Sequence, residues 1–150
     1  MGKRRITKKK TIDEIIKKAK VCRIGLVDNN MPYVVPVSFG YEDNCLYFHS
    51  SQQGKKIDIL RKNNNVCFEV DVDVELIKAK KACKWDMKYY SIIGFGKAYF
   101  VEDLVEKRKA FDIIMAHYSR GAFNYPEKKM VKAALIRIEI ESLSSKKSGY

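Results

Sequence analysis

The stretch from Tyr33 to Leu60, YVVPVSFGYEDNCLYFHSSQQGKKIDIL, constrains the fold of this chain more than any other. It reads as a strand from Pro32 to Tyr41, a turn at Glu42-Asp43-Asn44, a strand from Cys45 to His49, and a short helix from Gln53 to Lys62. Ile57 and Leu60, three apart, form the helix's inner face. This order sets a strand end, His49-Ser50-Ser51, beside a first helical turn, Gly54-Lys55-Lys56. Free backbone N–H groups and the positive end of the helix dipole make such a turn an anion site. Two lysines there go against the usual preference for Asp or Glu, and a bound phosphate would reverse that repulsion. The plainer reading is a solvated lysine pair. Ser50 and Ser51 suit either a phosphate-donor role or a helix cap.

The remaining segments supply a scaffold. Thr11-Ile12-Asp13-Glu14 matches a capping box, with Ile12, Ile15, Ile16 and Ala19 as the apolar face of a short helix. Cys22 to Val27 and Val66 to Val72 read as strands. Pro36 marks its own strand as an edge or a bulge. Residues 73–88 and 119–131 lack a clean period and read as irregular. Tyr89 to Val101 is a long strand in which Gly94 and Gly96 imply a bend or close backbone approach. Asp103 caps a helix through about Tyr118, with Leu104, Phe111, Ile114 and Met115 inward, and Ala134 to Ile140 alternates as a last half-buried strand. The Ser/Lys-rich C-terminus reads as frayed. Six strands with two helices tucked between them predict a mainly β fold, a small antiparallel barrel with helical covers. No G-x-G-x-x-G precedes a helix, which argues against a doubly wound parallel sheet.

The 150 residues suit one domain with a real core, since 46% are hydrophobic. The net charge of +12 is uneven: residues 1–20 carry +7 and the other 130 carry +5. Residues 1–10 therefore read as a basic flexible arm, and 11–150 as the single folded domain. No apolar run follows the arm, so it is not a secretory signal, and no segment approaches the ~20 apolar residues of a membrane span. Cys22, Cys45, Cys67 and Cys83 are scattered singly, as expected of reduced cysteines in a cytoplasmic protein, and they do not cluster as zinc ligands. A basic arm can bind nucleic acid through counterion release, but no helix-turn-helix, RNP-like or C2H2 pattern accompanies it.

His49 ends its strand next to the anion site. A lone histidine is more often structural than catalytic. Beside a redox ring, however, an imidazole can donate a proton or hold an anionic substrate. The strand Val34 to Ser38 offers backbone N–H groups to a flat ring, and Pro36 withholds one of them. Tyr33, Tyr41, Tyr47, Tyr89, Tyr90 and Trp85 are mostly core or interface aromatics, of which one or two can line a ring pocket.

PYVVPVSFGY (32–41), LYFHSSQQGKK (46–56), the run Tyr90-Ser91-Ile92-Ile93-Gly94-Phe95-Gly96 after Cys83, and the helix with Glu106-Lys107 resemble the nitroimidazole-resistance (Nim) proteins. These belong to the pyridoxamine 5′-phosphate oxidase-like, FMN-binding split-barrel superfamily, and the resemblance spans roughly residues 10–145. It implies a six-stranded split barrel and a homodimer with FMN at the subunit interface. It places Val35, Pro36, Val37 and Ser38 along the isoalloxazine, and His49, Ser50, Lys55 and Lys56 around the phosphate edge. Tyr90 and Ser91 would approach from the second copy, and His49 matches the active-site histidine. The implied activity is FMN-dependent reduction of a small substrate, a nitroaromatic compound being one option. The substrate-binding residues of true pyridoxamine phosphate oxidases cannot be located, which argues against vitamin B6 oxidation. Some split barrels hold a deazaflavin or haem instead. The rival class is a non-enzymatic module, either a flavin or haem binder or a nucleic-acid partner using the basic arm.

Overall fold

The computed structural model describes residues 2–150. The chain runs β1 (Lys3–Ile6), α1 (Lys9–Lys18), β2 (Cys22–Asp28), β3 (Met31–Val37), β4 (Gly40–Glu42), β5 (Cys45–Ser51), α2 (Lys55–Lys62) and β6 (Asn65–Ile77). It continues through β7 (Asp86–Phe100), α3 (Leu104–Tyr118), α4 (Glu127–Lys132) and β8 (Ala133–Ser148). All eight strands belong to one antiparallel sheet, ordered β3-β2-β6-β7-β8-β5-β4, with β1 added alongside β8. The path is open, and β3 and β4 are its ends. A mainly β, antiparallel architecture with helical covers is what the sequence implies. Two strands more than expected are present, the short β1 and β4.

One face of the sheet makes the main core. Ile24, Leu26, Phe68, Val70, Ile92 and Ile136 are at most 1% exposed. Helix α1 lays Ile12, Ile15 and Ile16 against this face, and α2 adds Ile57, Ile59 and Leu60. A smaller cluster forms where α3 covers the far side of β8 and β5, joining Ala110 and Ile114 to Leu135, Tyr47 and Phe111. Both faces of β5 are therefore covered, in line with its alternating Leu46/Phe48 and Cys45/Tyr47 pattern. Gly94 and Gly96 are close-approach positions. A Cβ at Gly94 would run into the Phe68 ring across the ladder, and one at Gly96 into the Glu139 carbonyl. The bend falls beside them, at a register shift between Phe95 and Gly96.

Several boundaries differ from the sequence reading. The arm expected to be free is tied to the sheet, since Lys3–Ile6 pair with Ser145–Ser148. The same pairing, with β7 on the other side, orders the C-terminus through Ser148. Neither segment has an apolar period; backbone ladders hold them. Helix α1 starts at Lys9, where the chain leaves β1, so Thr11 sits inside the first turn and the capping box does not form. Residues 73–88 are largely a hairpin: the ladder resumes after a shift at Val72/Glu75 and pairs Glu75, Leu76 and Ile77 with Lys88, Met87 and Asp86. This hairpin projects past the core, with Val74 and Leu76 exposed, so its side chains show no inward period. Residues 127–132 form α4 rather than irregular chain. Helix α3 begins as read, with Asp103 Oδ2 accepting the Glu106 N–H at 3.0 Å.

Candidate functional site

A cleft of about 420 Å3 opens where β3, the end of β5 and the start of α2 meet. Tyr33 and Val35, two apart on β3, form one wall; His49, Ser50 and Ser51 close β5 on another; Gly54, Lys55 and Lys56 form the third. The cleft assembles there because β3 ends the sheet path and has no neighbour on its outer side. Pro36 is tolerated for the same reason.

The N-terminus of α2 is uncapped by any side chain, leaving N–H groups of its first turn without intrahelical partners. Ser51 does not cap it; its Oγ accepts the Gln53 N–H at 3.3 Å and shapes the approach. Gly54 takes φ 133°, a region L residues rarely adopt, and the space where a Cβ would stand is open. The backbone there is thus accessible to a ligand. Lys55 holds its Nζ 4.6 Å from the centroid of the Tyr33 ring, which fastens α2 to β3 and keeps the ammonium at the cleft.

His49 stands opposite Leu135 in the β5–β8 ladder, and its ring packs 5.4 Å from that of Phe111 on α3. Partial burial, with the Lys56 ammonium as the second cause, holds its pKa below the ordinary histidine value. A neutral imidazole at pH 7 has one donor and one acceptor nitrogen. Phe111 in turn packs 5.3 Å from Tyr125, whose hydroxyl donates to Asp112 Oδ1 at 3.0 Å. The chemistry available in the cleft is anion binding by two ammonium groups and backbone N–H groups, with an uncharged proton carrier alongside.

Of the predicted site residues, Val35, His49, Ser50, Lys55 and Lys56 come together. Val37 does not reach the cleft: it is 7% exposed and part of the core. Pro36 and Ser38 are exposed and do not line it. Tyr90 and Ser91 lie elsewhere on β7. Tyr90 stacks on Tyr150 at 4.7 Å, and Ser91 borders a separate groove with Glu69, Asp71 and Tyr89. Phe111 was read only as a core residue of α3; its place behind His49 comes from tertiary packing and leaves no mark in local sequence.

The second face of the sheet is open and carries exposed apolar side chains among polar ones. Strand register aligns Val34, Gly25, Cys67, Phe95 and Ser142 in one row, with Pro36, Arg23, Glu69, Ile93 and Ser144 in the next. Val34 is 62% exposed, Phe95 55% and Ile93 43%. Among the described residues, no helix is long and apolar enough to cross a membrane, and no group of His, Cys, Asp or Glu is placed to hold a metal ion.

A family model described as pyridoxamine 5′-phosphate oxidase matches residues 8–147. No curated protein matches the chain. Among solved structures, a candidate 5-nitroimidazole antibiotic resistance protein from Bacteroides thetaiotaomicron is 36% identical, covers 97% of this chain and 87% of its own, and superposes with a TM-score of 0.87. The flavocytochrome Anf3 from Azotobacter vinelandii is 20% identical over 97% of this chain and 70% of its own, with a TM-score of 0.85. A FAD-binding protein from Mesorhizobium loti is 24% identical over 99% of this chain and 100% of its own, with a TM-score of 0.73. The last two likenesses are of fold.

Proposed function

The chain belongs to the pyridoxamine 5′-phosphate oxidase-like family, and from that premise we propose that it is a homodimeric, FMN-dependent oxidoreductase of the nitroimidazole-resistance type, acting on a small substrate such as a nitroaromatic compound. The observation that carries this reading is the convergence of an uncapped, glycine-led helix N-terminus with Lys55 and Lys56 in one cleft beside His49. The donor set fits a phosphomonoester. Lys55, Lys56, the Ser50 hydroxyl and the first N–H groups of α2 would hold the phosphate, and Tyr33 and Val35 would flank the rest of the cofactor. A bound flavin would supply the redox chemistry at this cleft. His49, uncharged near neutrality, is the group positioned to hold or move a proton at an imidazole nitrogen.

Dimerisation is part of the proposal. A second copy laid on the open face would cover Val34, Ile93 and Phe95 together with Ser91, which points to the same face; Tyr90, one residue earlier, points to the other face and stacks on Tyr150. A stable interface of that kind buries more than ~1,000 Å2 in total. The four free cysteines suit a cytoplasmic location.

The test compares FMN with riboflavin on wild type and on the double variant Lys55→Ala, Lys56→Ala. Charge-assisted hydrogen bonds to phosphate contribute roughly 1.5–3 kcal/mol each, so FMN affinity should fall about 100-fold or more while riboflavin affinity stays put. An unchanged FMN affinity would remove the phosphate assignment.

A further inference from the structure

Charges on the open face of the sheet are ordered about β7. The ladders align Asp71, Ser91, Lys146 and Arg5 in one row across β6, β7, β8 and β1. Glu69, Ile93 and Ser144 make the next row, and Cys67, Phe95 and Ser142 the one beyond. Residues aligned in this way point to the same side of the sheet. Strand β7 presents Met87, Tyr89, Ser91, Ile93 and Phe95 to that side, none of them charged. In these rows the acids stand on its β6 flank and the cations on its β8 flank.

The two flanks are not matched within the chain. Glu69 and Asp71 share one guanidinium, that of Arg23, at 3.6 and 3.4 Å. Lys146 and Arg5 are exposed, and no ion pair among the described residues engages either of them. Beside β7 the acids border a groove of about 350 Å3, lined by Glu69, Asp71, Val74, Tyr89 and Ser91. A lysine side chain suits such a groove: its stem packs on Val74 and Tyr89, and its ammonium meets the carboxylates.

A second copy of the chain carries that lysine. Sheets pack face to face about 10 Å apart with their strands nearly aligned. A twofold axis along β7 lays the β6 flank of one copy over the β8 flank of the other, and each contact then occurs twice. Asp71 meets Lys146 of the second copy, Lys146 meets its Asp71, and Ile93 and Phe95 lie along the axis. A twofold axis across the strands would instead set Glu69 and Asp71 against their own copies, which like charges oppose. The face is thus its own electrostatic complement. We propose that Asp71 and Lys146 form a reciprocal ion pair between two copies of this chain and set the register of the dimer. The proposal rests on the dimeric reading of this face given above, and adds the contact that selects one docking arrangement.

The experiment is sedimentation of the full-length protein with FMN in excess, for wild type and for two charge reversals, Asp71→Lys and Lys146→Asp. Each reversal alone places like charges at both contacts, so the dimer dissociation constant should rise about tenfold or more. An equimolar mixture of the two variants should form a heterodimer as tightly as wild type dimerises, because opposite charges then face each other at both contacts. That rescue also shows that both variants fold. The milder Asp71→Asn and Lys146→Gln should each weaken the dimer and, combined in one chain, cost less than the product of their separate effects. Those neutral variants keep the test valid if a reversal misfolds. A wild-type dimer with no weakening in any variant, or with weakening that the mixture does not rescue, would overturn the ion pair while leaving the dimer in place. A wild type that stays monomeric at tens of micromolar would overturn both.

Discussion

His49 and Phe111 face each other with ring centroids 5.4 Å apart and planes tilted by 44°, so the histidine of the cleft is backed by α3 rather than by a carboxylate. No acidic partner raises its pKa; burial and Lys56 both lower it. Titration followed by NMR should therefore show an imidazole pKa below 6.5, the ordinary value. Lys56→Gln should raise it only part of the way back, because burial is the larger cause. A pKa above the ordinary value, or no response to Lys56→Gln, would contradict this account of the cleft.

Gly54 is the hinge between β5 and α2, and its φ of 133° excludes most L residues. Gly54→Ala meets open space, so the cost is conformational and not steric. About 1–3 kcal/mol of stability should be lost, read as a lower denaturant midpoint, together with weaker FMN binding as the α2 N–H groups turn from the phosphate. A variant with unchanged midpoint and unchanged affinity would show that the loop tolerates another conformation.

Much of this site was legible from one stretch of chain because its parts are neighbours in sequence. The strand end at His49-Ser50-Ser51 and the turn at Gly54-Lys55-Lys56 are joined by two residues, so local pattern was enough to bring them together. Val37 shows what local pattern leaves open, namely how deep along an edge strand each residue of one face lies. It shares a face with Tyr33 and Val35, yet lies deeper, in the core. The ordered β1 and the end of β8 were missed because Lys, Arg and Ser residues in a ladder carry no hydrophobic period. Their pairing is a backbone property, visible only once β7 supplies the neighbouring strand.

Glu69 gives the open face a pH signature. Arg23 lies 3.6 Å from it, yet burial and then the neighbouring Asp71 push its pKa up to about 7 from 4.5. The folded chain thus keeps this proton to higher pH than the unfolded chain does. Its contribution to stability is fully present below about 4.5 and is lost as pH rises through about 7. Denaturant midpoints measured across that window should decline less for Glu69→Gln than for wild type. Parallel profiles for the two proteins would contradict the assignment.

The most direct test of the central claim is the visible absorption spectrum of the purified protein, recorded after FMN is added and unbound FMN is removed by gel filtration. The account predicts oxidised-flavin bands that stay with the protein and elute at the volume of a dimer. A protein fraction without flavin, or one whose only chromophore is a Soret-type band, would contradict it.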